Sequence, residues 1–465
     1  LLGFWAYGLF DLDEGYYAAV VAEMIRSNDW ITPHYNGLPW YEKPVLTYWL
    51  AAPFVWALGE NWGPRLGSVL SMLGLYAALY GFAKRRVGWS VGVWAVLVAS
   101  SSLLLVGIGR MLMPDAPLVL FLSLSLLTWF ESLSKPLPWR AWSGLSLGLA
   151  VLAKGPVALA LFGLVVAATY LREPELRKGY RGGWMAWALL LVATVGSWYV
   201  PAYLANPNEF VQKFLVEQNL ERFAGGDEAH RVGGVFGLLF YVPVLLLGMF
   251  PWSLWIPIAW PLRSRVTGEQ GAFLRFCAVW AVVTVGLFTL SGSKLPHYVA
   301  PALPPLAILV AAHFAHRYNA TARVLAWPIA WACAVAVLAN GAFWTYYHRF
   351  HADVHALVRY ARQRGGRLAA YQLPRRSRDL GTGTLEVQET SHPSLVFYWN
   401  GPVLEAERLD ELIARPEALW VVTRPGRLTD RDFQTLREKG WTAVQVEGVV
   451  PPSHYLLYRF IPPQG

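Results

Sequence analysis

Charge is scarce in this 465-residue sequence. Only 15% of its residues are Asp, Glu, Lys or Arg, against about 25% in an ordinary soluble domain. With 55% hydrophobic residues, that shortage excludes a wholly soluble protein and points to an integral membrane protein. Cysteine is scarcer still: Cys277 and Cys333 both lie in apolar runs, so no disulfide framework is implied. A cleavable signal pattern is lacking, and so is an internal repeat of the kind carried by paired transporter halves. The chain has no initiator Met and opens inside the apolar run LLGFWAYGLF, which suggests that residues precede it. A formal net charge of +9 invites a nucleic-acid reading. The basic residues, however, sit in short joints between apolar runs, which is the pattern of membrane topology and argues against nucleic acid as a partner.

A spanning helix needs roughly 20 mainly apolar residues. Runs of that kind end before Phe10 and then cover about 65–84, 90–109, 116–133, 141–154, 156–172, 184–204, 234–260, 273–291, 297–316 and 324–346. The joints alternate in character. One set is basic, with Lys84, Arg85 and Arg86, then Lys135 and Arg140, Arg172 to Arg181, Arg263 and Arg265, and Arg317 and Arg323. The other set holds most of the acids. Lys/Arg excess marks the cytoplasmic side, so the acidic loops and the C-terminal segment are expected to face outward. VLTYWLAAPFVWALG, residues 45–59, is too short to span comfortably and contains Pro53; it reads as an interfacial helix. The expected fold class is therefore mainly α: a polytopic membrane protein of about 11 or more transmembrane helices. A first outer loop, residues 11–64, carries interfacial helices, and residues 1–348 form the membrane domain. From residue 349 to 465 strands alternate with amphipathic helices, the pattern of a soluble α/β domain.

The outward loops hold the candidates for chemistry. FDLDEGYY crowds Asp11, Asp13 and Glu14 ahead of Tyr16 and Tyr17. Helix capping explains one of those carboxylates well and three poorly. WYEKPV sets Glu42 beside Lys43, either as a surface charge pair or as a cation aimed at a lipid phosphate. In RMLMPDAPL, Asp115 stands where an N-cap for a helix beginning at Ala116 is expected, with Arg110 nearby. Lys154 lies between two apolar runs, where a lone cation is costly and usually functional. FLVEQNLERFAGGDEAHR offers Glu217, Arg222, Asp227, Glu228, His230 and Arg231, and SGSKLPHYVAP offers Lys294, His297 and Tyr298. Together they gather carboxylates and cations on one rim, as a phosphate leaving group and an acceptor in need of a base would require.

These motifs resemble a known family. DEGYYAAVVAEM, DWITPHYNGLPWYEKPVLTYWL, RMLMPDAPL, LAKGPVALAL, VEQNLERF, PVLLLGMFPW and SGSKLPHYVAP occur in the order found in membrane glycosyltransferases of the C-type fold that use polyprenyl-phosphate sugars. The nearest branch is the ArnT-like aminoarabinose–lipid A transferases, with protein O-mannosyltransferases more distant. The resemblance implies inverting transfer of a sugar, an aminoarabinose-like pentose in that branch, from an undecaprenyl-type phosphate. The implied setting is the outer face of a bacterial inner membrane, with lipid A or another envelope acceptor. It makes Asp13 the implied base and Asp115 the second catalytic acid. Lys43, Lys154 and Arg222 would bind the donor phosphate. Glu14, Tyr17, Glu42, Glu217, Lys294, His297 and Tyr298 remain further substrate-site candidates.

Two departures from the family pattern stand out. Tyr16 replaces an Arg, and Gln218 replaces a His that in that branch can hold a divalent metal with the EKP glutamate. A metal at Glu42 would then need His230 as a substitute. The expected partners are a polyprenyl-phosphate sugar, a lipid or protein acceptor and membrane lipids, with the chain acting as a monomer. Two alternatives are weighed against this reading. One is a protein O-glycosyltransferase using a polyprenyl-phosphate hexose. The other is a transporter or flippase of lipid-linked sugar, against which the rim location of the ionisable residues argues.

Overall fold

A computed structural model gives the architecture. It describes all residues except 135–137, 179–181, 226–231, 261–265, 319–321, 374, 377–388, 391, 415, 452–453 and 464–465. Lys135, Arg181, Arg263 and Arg265 of the basic joints lie outside the described residues. The chain is mainly helical and divides into two compact units. The first comprises Leu1–Phe4, Tyr41–Ala51 and Arg65–Asn340; the second comprises Trp5–Trp40, Ala52–Pro64 and Gly341–Gly465. The division thus differs from a single boundary at 348, because most of the first outer loop groups with the C-terminal segment.

Among the described residues, six helices are long and apolar enough to cross a membrane: Leu46–Arg86, Asp115–Ser132, Trp184–Ala205, Gly268–Leu290, Pro296–Arg317 and Arg323–Phe350. A seventh is added if Gly234–Gly248 and Trp252–Ala259, bent by 111°, form one crossing. Among the described residues, helices that meet this length and composition number fewer than 11 for two reasons. Trp89–Ser100, Trp139–Lys154 and Val157–Arg172 have 12, 16 and 16 residues, short of a full span. Residues 1–10, expected to end a helix, form turns instead. Gly3 takes φ +83 there, and the Leu2 carbonyl accepts from Asn340 and Arg110 instead of a helical N–H. Leu46–Arg86 is two helices joined at Gly59, whose φ 74, ψ −163 is open to glycine and rarely to other residues. Leu189, Val192, Val200 and Leu204 lie exposed along Trp184–Ala205, a surface suited to lipid and costly in water. This is a multi-pass membrane protein.

In the first unit, Asp115–Ser132 packs antiparallel against Trp139–Lys154, which packs in turn against Trp184–Ala205. Two serines lock the first pair. Ser125 Oγ donates to the Ser143 carbonyl and Ser143 Oγ donates to the Ser125 carbonyl, each at 2.9 Å. The second contact depends on glycine. A Cβ at Gly144 would run into the Trp187 carbonyl, and one at Gly148 would lie 2.6 Å from Thr194 Cβ. This is the small-xxx-small spacing that lets helices approach closely in lipid. At the other end of the hairpin, Arg86 forks onto Glu131 at 2.8 and 2.9 Å, its guanidinium 10% exposed.

In the second unit the helix Asp13–Ser27 is followed by a hairpin, His34–Tyr35 with Leu38–Pro39. Asn36 and Gly37 take φ 52 and 85, the positive pair that a two-residue hairpin turn demands. The C-terminal segment builds a five-stranded sheet from β1 (Arg367–Tyr371), β2 (Val403–Ala406), β3 (Leu419–Thr423), β4 (Thr442–Gln445) and β5 (Leu456–Ile461). Its order is β2-β1-β3-β5-β4. β1 runs parallel to β2 and β3, while β5 runs antiparallel to β3 and β4. The apolar LWVVT is buried along its whole length, as befits a central strand. Helices Ala352–Gln363 and Asp430–Glu438 occur where the amphipathic pattern places them, the latter opened by a Thr429–Asp432 capping box. β2 and the short helix Ser394–Trp399 are additions that the sequence pattern did not signal.

Candidate functional site

The centre of the candidate site is a buried ion pair made by the helix hairpin. Because Asp115–Ser132 and Trp139–Lys154 run antiparallel, the first residue of one lies beside the last residue of the other. Asp115 Oδ1 meets Lys154 Nζ at 2.5 Å, with Asp115 1% and Lys154 12% exposed. Both charges suit their helix ends, carboxylate at an N-terminus and ammonium at a C-terminus. Gly155 then takes φ +99 and Pro156 follows, so the lysine is held at a sharp stop. The capping role expected for Asp115 does not hold. The helix begins at Asp115 itself after Pro114, and no side chain caps it, because the carboxylate is engaged by lysine.

Three loops of the same unit complete the cluster. His297, in the turn Pro296–Ala302, brings Nε2 to 3.9 Å from Asp115 Oδ2, an oxygen that is buried and has no hydrogen bond among the described residues. Tyr298 beside it places its ring 4.6 Å from the Lys154 ammonium. The segment Phe210–Glu221 is a π-helix, a form that recurs at functional sites. It buries Gln218, whose Oε1 accepts from Arg222 at 2.8 Å and from Lys43 at 3.5 Å. Lys43 Nζ also donates to the Glu42 carbonyl at 3.1 Å. The charges of Lys43, Lys154 and Arg222 all reach His297. The result is a group of three cations near His297 and the buried Asp115 carboxylate that it faces, with Gln218 accepting from two of the cations. Gln218 was legible only as a substitution, and its bridging role is visible only in the fold.

The other candidates fall elsewhere. Lys294 is buried and donates to the carbonyls of Phe288, Thr289 and Ser291 at 3.4, 2.8 and 2.6 Å, so it caps the helix Gly268–Leu290. Glu217 is half-buried on the π-helix. Arg110 is fully buried and donates to the Leu2 carbonyl, a structural use. His230, with Asp227, Glu228 and Arg231, lies outside the described residues.

Asp13, Glu14 and Tyr17 belong to the second unit. Asp13 is exposed in the first turn of Asp13–Ser27. Glu14 is fully buried and accepts from the Phe10 N–H at 2.9 Å, while Tyr17 is buried. Asp11 does not cap this helix; it accepts from the backbone and hydroxyl of Ser394 instead. Tyr16, the other departure, stacks on Trp40 at 4.9 Å and meets Tyr35 edge-on at 4.8 Å. An aromatic cluster therefore occupies the place of a cation.

A divalent metal at Glu42 does not fit the described residues. Its neighbour Gln218 offers an amide oxygen already shared by two cations, and no metal-spaced group of His, Cys, Asp or Glu there includes Glu42.

Comparison with known proteins bears on the family. Residues 42–198 match the family described as dolichyl-phosphate-mannose-protein mannosyltransferase, a stretch holding Glu42, Lys43, Asp115 and Lys154. In sequence and in fold the chain is similar to ArnT-like transferases, the class that the ordered motifs imply. Within that class, undecaprenyl phosphate-alpha-4-amino-4-deoxy-L-arabinose arabinosyl transferase 2 of Sodalis glossinidius is 32% identical over 325 residues, covering 67% of this chain and 56% of its own length. The corresponding transferase of Shewanella sediminis is 31% identical over 318 residues, 65% of this chain and 56% of its own length. The chain thus spans about half the length of the curated relatives it matches. In fold it is similar to ArnT from Cupriavidus metallidurans bound to undecaprenyl phosphate, with TM-score 0.76 and 18% identity over 98% of this chain and 96% of that one.

Proposed function

We propose that this chain is an inverting glycosyltransferase that moves a sugar from an undecaprenyl-type phosphate to an envelope acceptor such as lipid A. The observation that carries this reading is the cluster of Lys43, Lys154 and Arg222 around the buried Asp115. When the bond from the anomeric carbon to the phosphate oxygen breaks, its electron pair goes to the phosphate, which gains one negative charge. Cations fixed beforehand stabilise that charge more than they stabilise the bound donor. Asp115 keeps Lys154 in place, and His297 and Tyr298 shield the pair from water. The incoming acceptor oxygen attacks the opposite face of the anomeric carbon, which inverts it. Asp13 is proposed as the base for a hydroxyl acceptor, on its motif and its exposure. An acceptor phosphate, already ionised, would need Asp13 only for orientation.

The proposed setting is a bacterial inner membrane. The site lies at the end of the 115–154 hairpin opposite the Arg86–Glu131 pair, and about 27 Å separates the ends of an 18-residue helix. With the Lys/Arg-rich ends cytoplasmic, the site faces outward. The three short helices and the bent pair are proposed as further crossings, Leu46–Leu58 as an interfacial helix, and the C-terminal sheet with its helices as an outer α/β domain. The match of residues 42–198 to protein mannosyltransferases supports a second reading, a hexose transferred to a protein hydroxyl. The deciding experiment supplies purified protein with a panel of polyprenyl-phosphate pentoses and hexoses, using lipid A and a serine-rich peptide as acceptors. Transfer abolished by Lys43→Ala and Asp115→Asn supports the proposal. Transfer that survives both changes refutes it.

A further inference from the structure

The second unit contains a buried cluster that the proposed transfer does not use. His351 and His355 stand four residues apart at the start of the helix Ala352–Gln363, so their rings share one face. The rings lie 6.0 Å apart at 20°. His355 is fully buried and His351 6% exposed, yet both ring nitrogens of His351 are buried without a hydrogen bond. Leaving such a group unsatisfied is ordinarily costly. Aimed at it is Asp11, whose Oδ2 lies 3.6 Å from His351 Nδ1. Ligand atoms of Asp11, His351 and His355 all fall within 4.8 Å of one another.

We infer that Asp11, His351 and His355 form a site for a divalent transition metal such as zinc. Two imidazoles and one carboxylate are the donor set for a borderline-soft ion. Calcium and magnesium favour an all-oxygen shell. Tetrahedral zinc with bonds of about 2.0–2.1 Å spaces its ligands by about 3.4 Å. The Asp11–His351 edge nearly meets that already, and rotation of the side chains supplies the rest. Outer partners are in place. His355 Nε2 is 2.8 Å from Ser394 Oγ, which can accept its N–H because the Ser394 hydrogen goes to Asp11; Nδ1, 3.2 Å from the Tyr347 hydroxyl, would give up that contact to bind the metal. Ser394 also holds both oxygens of Asp11, at 2.9 and 2.7 Å. His392 Nδ1 lies 3.3 Å from Asp11 Oδ2 with its Nε2 on Tyr455, and stands ready as a fourth donor. A metal there ties the segment entering the helix of Asp13 to the helix Ala352–Gln363 of the same unit.

The test uses the full chain in detergent, incubated with zinc and desalted, with metal counted by mass spectrometry. It is repeated with cobalt and read by visible absorption. Wild type should retain about one equivalent and give the intense bands of a four-coordinate cobalt site. His351→Ala should lower retention at least tenfold, while Glu42→Gln leaves it unchanged. A chelator should lower the melting temperature of the wild type and not that of His351→Ala. Retention below a tenth of an equivalent in the wild type overturns the inference, as does a weak six-coordinate cobalt spectrum. So does retention surviving in a His351→Ala variant that elutes as wild type. Should that variant not fold, the wild-type stoichiometry and cobalt spectrum decide alone.

Discussion

Neutralising one member of the Asp115–Lys154 pair should harm the protein more than neutralising both. At an effective dielectric of about 20, opposite charges 2.5 Å apart attract by about 7 kcal/mol. Much of that is offset by taking both groups out of water. Lys154→Met removes the attraction but leaves a carboxylate that is 1% exposed, and breaking a buried pair in this way costs about 3–5 kcal/mol. Asp115→Asn is milder, because Lys154 is more exposed and can turn toward the Tyr298 ring. The double variant leaves no buried charge unpaired, so it should recover much of the stability, with a coupling of about 2–3 kcal/mol. The measurement is thermal unfolding of all four proteins in one detergent, with sugar transfer assayed in parallel. Stability should return in the double variant while transfer does not. Additive losses would show that the pair is not a unit. Transfer returning together with stability would show that the charges serve the fold alone.

Four further outcomes follow from other contacts. Gly144→Ala drives a methyl group into the Trp187 carbonyl and should destabilise the protein by about 1–3 kcal/mol, read as a lowered melting temperature. Gln218→Leu frees Arg222 and Lys43 from their common acceptor, and should raise the KM for the lipid donor several-fold with a smaller effect on kcat. Lys294→Met should lower thermal stability but leave transfer per folded molecule unchanged, since among the described residues its ammonium donates to carbonyls at the end of Gly268–Leu290. Asn36→Val removes two 2.9 Å bonds to the Val403 backbone and strains a positive φ, so a loss of about 1–3 kcal/mol is expected by denaturant titration.

Much of the architecture was legible because its signals are local. Long apolar runs, basic joints and four of the five strands of residues 367–461, short and apolar between turns, each declare themselves within about 20 residues. The crossing count was less legible, since composition cannot distinguish a run that stays helical from one that breaks between Gly248 and Trp252. The N-terminal apolar run forms turns instead of a helix, and its contacts are non-local: distant Arg110 and Asn340 both donate to the Leu2 carbonyl.

The site divides along the same line. Lys154 stood out as a costly charge in an apolar run, but its partner could not be named, because Asp115 lies 39 residues away and reads locally as a cap. What joins them is the antiparallel hairpin, locked by Ser125 and Ser143 and pressed close by Gly144 and Gly148. Those four small residues carry no chemistry of their own, and sequence reading passes over them. They nevertheless set the register in which an acid at one helix start meets a base at another helix end. A one-turn slip of about 5.4 Å would leave the carboxylate and the ammonium each unpaired. The chemistry proposed for this rim therefore depends on packing residues that never touch a substrate. Lengthening a serine or glycine in the hairpin should disable transfer as surely as removing a charge.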